Sequence, residues 1–149
     1  MTLADFEVHG RPRTKGSLKV ITPRGRRPIL AEDHAHSAPW RKRIKVAIQT
    51  KYPETLQIGH VPITVPIMVS AQFWFEREGP SARHLGWPVV NAGVNANGDL
   101  DKLLRNLLDA MKDARLIADD SLVVSITTSK KWTRPDQLPG IDVWVSEAV

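Results

Sequence analysis

The sequence predicts an α+β domain in which two main helices pack on a mixed β-sheet. Apolar residues alternate at period two in residues 61–76, as in a half-buried strand, and recur at helical spacing in residues 100–111. The predicted order is strand, basic ribbon, helix, strand, helix, strand, strand, which favours helices on one face of the sheet. With 149 residues, the chain is expected to form a single domain, residues 1–149, with its own core.

The N-terminal part of the chain predicts one strand and a basic connection. Residues 3–9, LADFEVH, alternate imperfectly and predict the first strand. Residues 8–31 are rich in Gly, Pro and Arg, so we interpret them as a basic loop or short ribbon. Within this stretch, residues 17–22 are the part best suited to an extended conformation.

The first helix is predicted to begin at Ser37, which is suited to cap it, and to end near Tyr52. Pro39 is tolerated in the first turn, and Pro53 disfavours continuation of the helix. Its apolar residues recur at helical spacing: Trp40, Ile44, Ala47 and Ile48.

Residues 61–76 give the clearest strand. One face is predicted to be apolar and to carry Val65, Ile67, Val69, Ala71, Phe73 and Phe75. Pro62 and Pro66 indicate either an edge strand or a late start to its pairing. The following residues, 77–98, have little periodicity and are expected to form a long flexible loop.

A second helix and two strands complete the predicted fold. The helix has an apolar stripe formed by Leu100, Leu103, Leu104, Leu107, Leu108 and Met111. Residues 122–128 alternate as a strand, and residues 141–145 predict a second short one.

Positive charge is concentrated near the N-terminus. The formal net charge is +5, and residues 8–31 contain no acidic residue but seven basic ones: Arg11, Arg13, Lys15, Lys19, Arg24, Arg26 and Arg27. A second basic cluster occupies residues 41–45. A solubilising surface is one explanation. Segregated positive charge among Gly and Pro more often binds a polyanion, so nucleic acid is the favoured partner.

Composition also excludes several kinds of site. The chain has no cysteine, which excludes disulfides, thiolate zinc sites and cysteine nucleophiles. The N-terminus lacks the apolar core of a signal peptide, and no stretch approaches the roughly 18 apolar residues of a membrane span. We therefore expect a cytoplasmic protein with no membrane partner.

Two acidic clusters flank the second helix. Asp99 and Asp101 stand at its predicted start, where a capping role and the helix dipole would explain them. Asp119 and Asp120 precede a strand, where a surface turn would explain them.

The chain is long enough to bring these clusters together. The helix over residues 101–113 would rise roughly 18 Å. Residues 114–120, if extended, would cover about 23 Å and could return Asp120 to Asp99 and Asp101. We therefore predict that three carboxylates converge at the N-terminus of this helix.

Such a cluster predicts a metal site. Carboxylates at close range are costly unless a cation neutralises them, and oxygen ligands without His or Cys favour Mg²⁺, with Mn²⁺ as a substitute. Metals held by carboxylates can stabilise the attacking and leaving oxygens of a phosphoryl displacement. In a basic protein, this combination points to phosphodiester hydrolysis.

Three stretches resemble one known family. Residues 99–110, DLDKLLRNLLDA, and residues 116–124, LIADDSLVV, resemble the signature of the RusA-type Holliday junction resolvases. Residues 10–16, GRPRTKG, resemble the opening segment of the same family.

The resemblance implies a small homodimeric, magnesium-dependent endodeoxyribonuclease with a RusA-like fold. Such enzymes act in DNA recombination and repair, recognise four-way junctions, nick two opposing strands symmetrically and are often encoded by phages. The resemblance implies that Asp99, Asp101 and Asp120 are the metal-binding catalytic residues and that Asp119 has a supporting role. The expected location is the bacterial cytoplasm or nucleoid, or a phage-infected cell.

This chain departs from the family pattern at two positions. Lys102 replaces the usual Asn, and Arg105 replaces the usual Lys; an arginine can clamp phosphate but cannot act as a titrating base. The residues expected to contact DNA are Arg11, Arg13, Lys15, Lys19, Lys102, Arg105 and Lys130.

Two other functions fit the same residues. One is a DNA-binding module without catalysis, in which the acids only cap and turn the chain. The other is a nuclease for different branched DNA, such as flaps or forks. Cleavage of a synthetic junction with and without magnesium separates these hypotheses.

Overall fold

The computed structural model describes residues 1–15, 18–22, 24–32, 36–77, 86–88 and 98–149. Most of the loop predicted at residues 77–98 lies outside this part of the chain.

Six strands and two α-helices form the described structure. They are β1 (Thr2–His9), β2 (Leu18–Ile21), β3 (Ile29–Glu32), α1 (Ser37–Lys51), β4 (Ile67–Phe75), α2 (Leu100–Asp113), β5 (Val123–Trp132) and β6 (Gly140–Glu147). Short 3₁₀ helices occupy Pro53–Leu56 and Asp120–Leu122. The predicted α+β class and the order of elements are confirmed.

The main sheet is mixed and has the strand order β1-β6-β4-β5. β4 pairs in parallel with β5, whereas β6 is antiparallel to both β1 and β4. β4 is therefore an interior strand, and the edge-strand alternative was wrong. The late start is what occurs: pairing begins at Ile67, directly after Pro66, because proline has no N–H for the ladder.

The core lies between one face of this sheet and the two helices. The predicted apolar face of β4 is buried at Ile67, Val69, Ala71, Phe73 and Phe75, each at most 2% exposed. Leu103, Leu107, Ala110 and Met111 of α2 are completely buried in the same core. Trp40, Ile44 and Ile48 supply the apolar side of α1. The helical and strand periodicities of the sequence thus identify the main core residues.

The N-terminal basic region contains a two-stranded ribbon, as predicted. β2 and β3 form it by antiparallel pairing from Leu18↔Glu32 to Ile21↔Ile29. α1 begins at Ser37, but His36 rather than Ser37 occupies the capping position, and Ser37 is the first, buried residue of the helix. The predicted end is confirmed, with Tyr52 following the last helical residue.

β5 is an edge of the sheet. It is longer than predicted, with 10 residues, and its outer edge pairs with no strand among the described residues. Val124 is 62% exposed and Ile126 is 40% exposed on this strand. Of the described helices, none is long and apolar enough to cross a membrane.

Candidate active site

The N-terminus of α2 carries two exposed carboxylates. Asp99 caps the helix with extended backbone, and its carbonyl accepts the Leu103 N–H at 3.0 Å. The Asp99 side chain makes no capping hydrogen bond, so only the position of the predicted cap is confirmed. Asp101 is exposed in the first turn. Both carboxylates therefore remain available to a ligand.

Two lysines lie beside this end of the helix. Lys102 Nζ is 3.5 Å from Asp99 Oδ2, and Lys130 Nζ donates a 2.9 Å hydrogen bond to the Gly98 carbonyl. Burial lowers the pKa of the Lys130 ammonium, and the neighbouring Asp99 carboxylate opposes that shift. β5 brings Lys130 here because its register with Phe73 places it on the helix side of the sheet.

Asp120 does not join this pair within one chain. Its neighbour Asp119 forms a 3.0 Å ion pair with Lys112 Nζ, and the backbone of Lys112 lies about 16 Å along the helix axis from that of Asp101. The second acidic cluster therefore lies beside the C-terminal half of α2. Among the described residues, no group of three possible ligands is close enough to hold a metal. The predicted convergence of Asp120 with Asp99 and Asp101 is thus wrong for a single chain, although their assignment as ligands remains a prediction.

The connection after α2 explains the separation. Ile63 N–H donates to the Leu116 carbonyl, and Ala118 N–H donates to the Ile63 carbonyl, both at 2.9 Å. Arg115 adopts a φ of 61° and donates from Nη2 to the His60 carbonyl at 2.8 Å. The segment therefore pairs with residues 60–63 instead of running back along the helix. Its length permitted the return, but these nonlocal hydrogen bonds set another direction.

Asp119 is held by two hydrogen-bond donors. Ser121 Oγ donates to its Oδ2 at 2.7 Å, and Lys112 binds the other oxygen. The hydrogen bond from Ser121 makes the larger contribution, and together these bonds lower the pKa of Asp119 from 3.8 to about 2. The same contact raises the pKa of Lys112. Asp119 therefore fixes the 3₁₀ turn that carries Asp120, which is itself exposed.

The basic segment Arg11–Lys15 lies along α2. Lys15 N–H donates to the Lys102 carbonyl at 3.1 Å, and Lys15 Nζ is 2.6 Å from Asp109 Oδ2. Asn106 Nδ2 donates to the Arg13 carbonyl at 3.1 Å. This segment therefore reaches the same end of the helix as the two carboxylates.

Sequence reasoning missed Asn106 and Asp109. Asn106 is completely buried in the apolar stripe between Leu103 and Ala110. A polar residue in that stripe was the available signal, because a buried amide requires hydrogen-bond partners.

The other predicted DNA-binding residues have different surroundings. Arg105 is exposed and forms no ion pair with any residue in the described ranges. Arg11 and Arg13 are partly buried, and both have further contacts. The side chain of Lys19 lies outside the described residues.

The donor chemistry fits a hard divalent cation. Asp99 and Asp101 offer carboxylate oxygens, and the ammonium groups of Lys102 and Lys130 lie beside this end of the helix. Oxygen ligands of this kind suit Mg²⁺ or Mn²⁺. Among the described residues of one chain, two carboxylates lie at this point.

A comparison with known families gives one match. The family model described as "Endodeoxyribonuclease RusA" matches residues 10–146, which include α2, both acidic clusters and the basic segment. No curated protein matches the chain.

Gly98→Ala should destabilise the protein and disturb the basic segment. Gly98 has a φ of +75°, and a Cβ there would overlap the Thr14 side chain. A left-handed backbone costs a non-glycine residue about 1 to 2 kcal/mol. Gly59→Ala is the matched control, because its φ is +86° and nothing lies within 4 Å. Urea unfolding should show a larger loss for Gly98→Ala; equal losses would contradict the contact with Thr14.

Ionisation of Asp119 should make the free energy of unfolding depend on pH in the acid range. Because its pKa is about 2 in the folded state and 3.8 ordinarily, its contribution is present above pH 3.8 and is lost as the pH falls towards 2. The stability difference between wild type and Asp119→Asn should therefore shrink between pH 6 and pH 2 in urea titrations. Asp136→Asn, which removes an exposed carboxylate elsewhere, serves as the control. A difference that stays constant with pH would contradict the assignment.

Proposed function

The chain belongs to the RusA family of endodeoxyribonucleases, and from this premise we propose that it resolves four-way DNA junctions by magnesium-dependent phosphodiester hydrolysis. The observation that carries the proposal is the exposed pair Asp99 and Asp101 with two lysines beside it, at the N-terminus of a fixed helix. Carboxylates for a cation and ammonium groups for a phosphate are the two requirements of metal-assisted hydrolysis.

We further propose that the active form is a homodimer whose two metal sites each combine residues of both chains. Asp99 and Asp101 would come from one chain and Asp120 from the other. The separation of these residues within one chain supports this arrangement, since the single chain offers no set of three ligands among its described residues.

The exposed edge of β5 supports such a dimer. Antiparallel pairing of two β5 strands would set the start of one strand beside the end of the other. The start follows the 3₁₀ turn Asp120–Leu122, and the end carries Lys130, which is bonded to the residue before Asp99. This pairing would also cover the apolar side chains exposed on the edge.

The roles of the residues follow from their chemistry. Asp99, Asp101 and Asp120 would hold the cation, which when bound would neutralise charge that develops on the phosphate oxygens. Lys130 and Lys102 would contact the phosphate as point charges. Arg105 would clamp a phosphate oxygen pair, because its guanidinium is always charged.

Basic residues outside the centre would hold the DNA arms. Arg11, Arg13 and Lys19 lie in the N-terminal segment and ribbon, and α1 adds Lys42, Arg43 and Lys45. Such contacts neutralise phosphates and make binding sensitive to salt. A two-fold symmetric dimer suits a four-way junction, because its two sites would meet equivalent strands and nick them in pairs.

The proposed activity predicts magnesium-dependent, paired nicks in a labelled synthetic four-way junction. Asp120→Asn should bind the junction but cleave it on the order of 100-fold more slowly or worse. Asp136→Asn, which changes a carboxylate far from α2 in sequence, should cleave normally. Binding without cleavage by the wild type, across a series of metals and pH values, would leave a non-catalytic DNA-binding module. Cleavage of flaps or forks but not junctions would assign a different branched substrate.

The composite site predicts that two inactive variants restore each other. In a heterodimer of Asp101→Asn and Asp120→Asn chains, one site contains both substitutions and the other contains neither. Random exchange should therefore restore about a quarter of wild-type nicking, because a symmetric dimer has two equivalent sites and half of the dimers are mixed. These nicks should fall on one strand of each junction. No restoration, with mixed dimers demonstrated by tags, would refute the composite site.

A further inference from the structure

The basic segment Arg11–Lys15 is fastened to α2 and its N-terminus through Arg13, Thr14 and Lys15. One backbone hydrogen bond joins Lys15 to Lys102, and side-chain hydrogen bonds join Asp109 to Lys15 and Asn106 to Arg13. The side chain of Thr14 also packs against Gly98 so closely that a Cβ would not fit there. The segment thus touches the residue that precedes Asp99.

The ion pair between Lys15 and Asp109 is the strongest of these contacts by geometry. Its Nζ–Oδ2 distance is 2.6 Å, shorter than the lysine–aspartate distances at Lys51, Lys102 and Lys112, and the two side chains are 37% and 28% exposed. Charge-assisted hydrogen bonds are stronger than neutral ones, and partial burial reduces their screening by salt. The Lys15 ammonium is therefore already engaged before any DNA binds.

Asn106 connects the segment to both helices. Its Nδ2 donates to the carbonyls of Arg13 and Ser37 at 3.1 and 3.4 Å, and its Oδ1 accepts from Arg41 Nη1 at 3.3 Å. Because Asn106 is completely buried, loss of its amide would leave these groups without their partner in the interior.

We infer that Lys15, Asp109 and Asn106 are positioning residues that hold the basic segment against α2, so that Arg11 and Arg13 stay in a fixed place relative to Asp99 and Asp101. This inference rests on the proposed function, since it concerns how the same site receives its DNA. It replaces the direct phosphate contact that the sequence suggested for Lys15.

The two roles of Lys15 predict opposite effects of Asp109→Asn. If Lys15 contacts phosphate directly, removal of the neighbouring negative charge frees the ammonium and strengthens junction binding. If Lys15 positions the segment, the same substitution breaks the ion pair and weakens binding although the net charge becomes more positive.

The experiment measures junction Kd, KM and kcat for Lys15→Met, Asp109→Asn and the double variant. Positioning predicts that each single variant weakens binding roughly tenfold, or about 1.4 kcal/mol. The double variant should be no worse than either single one, because partners of one contact are not additive. The charge exchange Lys15→Asp with Asp109→Lys should recover part of the affinity. KM should rise with little change in kcat, since the substitutions leave the carboxylates in place.

Lys51→Met is the matched control, because it removes a lysine from another ion pair, with Asp5 at 3.2 Å, away from α2. It should leave junction affinity within about twofold, as expected for an exposed pair. Thermal unfolding of each variant excludes global loss of structure as the cause of weaker binding.

Amide hydrogen exchange separates this inference from the proposed function. The Lys15 N–H bonded to Lys102 should exchange faster in Asp109→Asn than in wild type, even if the protein cleaves no junction. Faster exchange without cleavage would refute the proposed function but keep the structural tie. Unchanged exchange in Asp109→Asn, or tighter binding by that variant, would overturn the positioning role.

Discussion

Burial of the apolar face of α2 is the constraint on which the rest of the structure depends. Leu103, Leu107 and Met111 have no exposed surface, and they fix the rotation of the helix against the sheet. Once that rotation is set, the carboxylates at its start are left exposed, while Asn106 and Asp109 meet the N-terminal segment. A single packed face thus determines which polar groups meet solvent and which meet other parts of the chain.

The sequence predicted what depends on local periodicity and missed what depends on distant partners. The apolar alternation of β4 and the stripe of α2 identified the core, because burial imposes periods of two and 3.6 on the chain. The predicted course of the chain after α2 was wrong. The length of a segment does not reveal its hydrogen-bond partners, and here Leu116 and Ala118 bond to Ile63. Similarly, the positions of lysines in the sequence do not show which ammonium groups are paired with a carboxylate and which are available to bind DNA.

Some of the basic side chains contact polar and acidic groups within the protein. Lys15, Lys51, Lys102 and Lys112 each lie within 4 Å of an aspartate oxygen, and Arg41 bonds to Asn106. Two of the three stretches that resemble the family, residues 10–16 and 99–110, are joined through one such pair, Lys15 with Asp109. The N-terminal basic segment and α2 are therefore parts of one assembly rather than independent patches.

The outer edge of β5, which pairs with no strand among the described residues, has a consequence for how the proposed activity is controlled. If each active site takes its metal ligands from two chains, a monomer has no complete active site. The cleavage rate then rises with the square of the protein concentration while most chains are monomers. It becomes proportional to the concentration once most chains are in dimers. In that case a low protein concentration would itself suppress cleavage, and activity would appear only once enough chains had accumulated to form dimers.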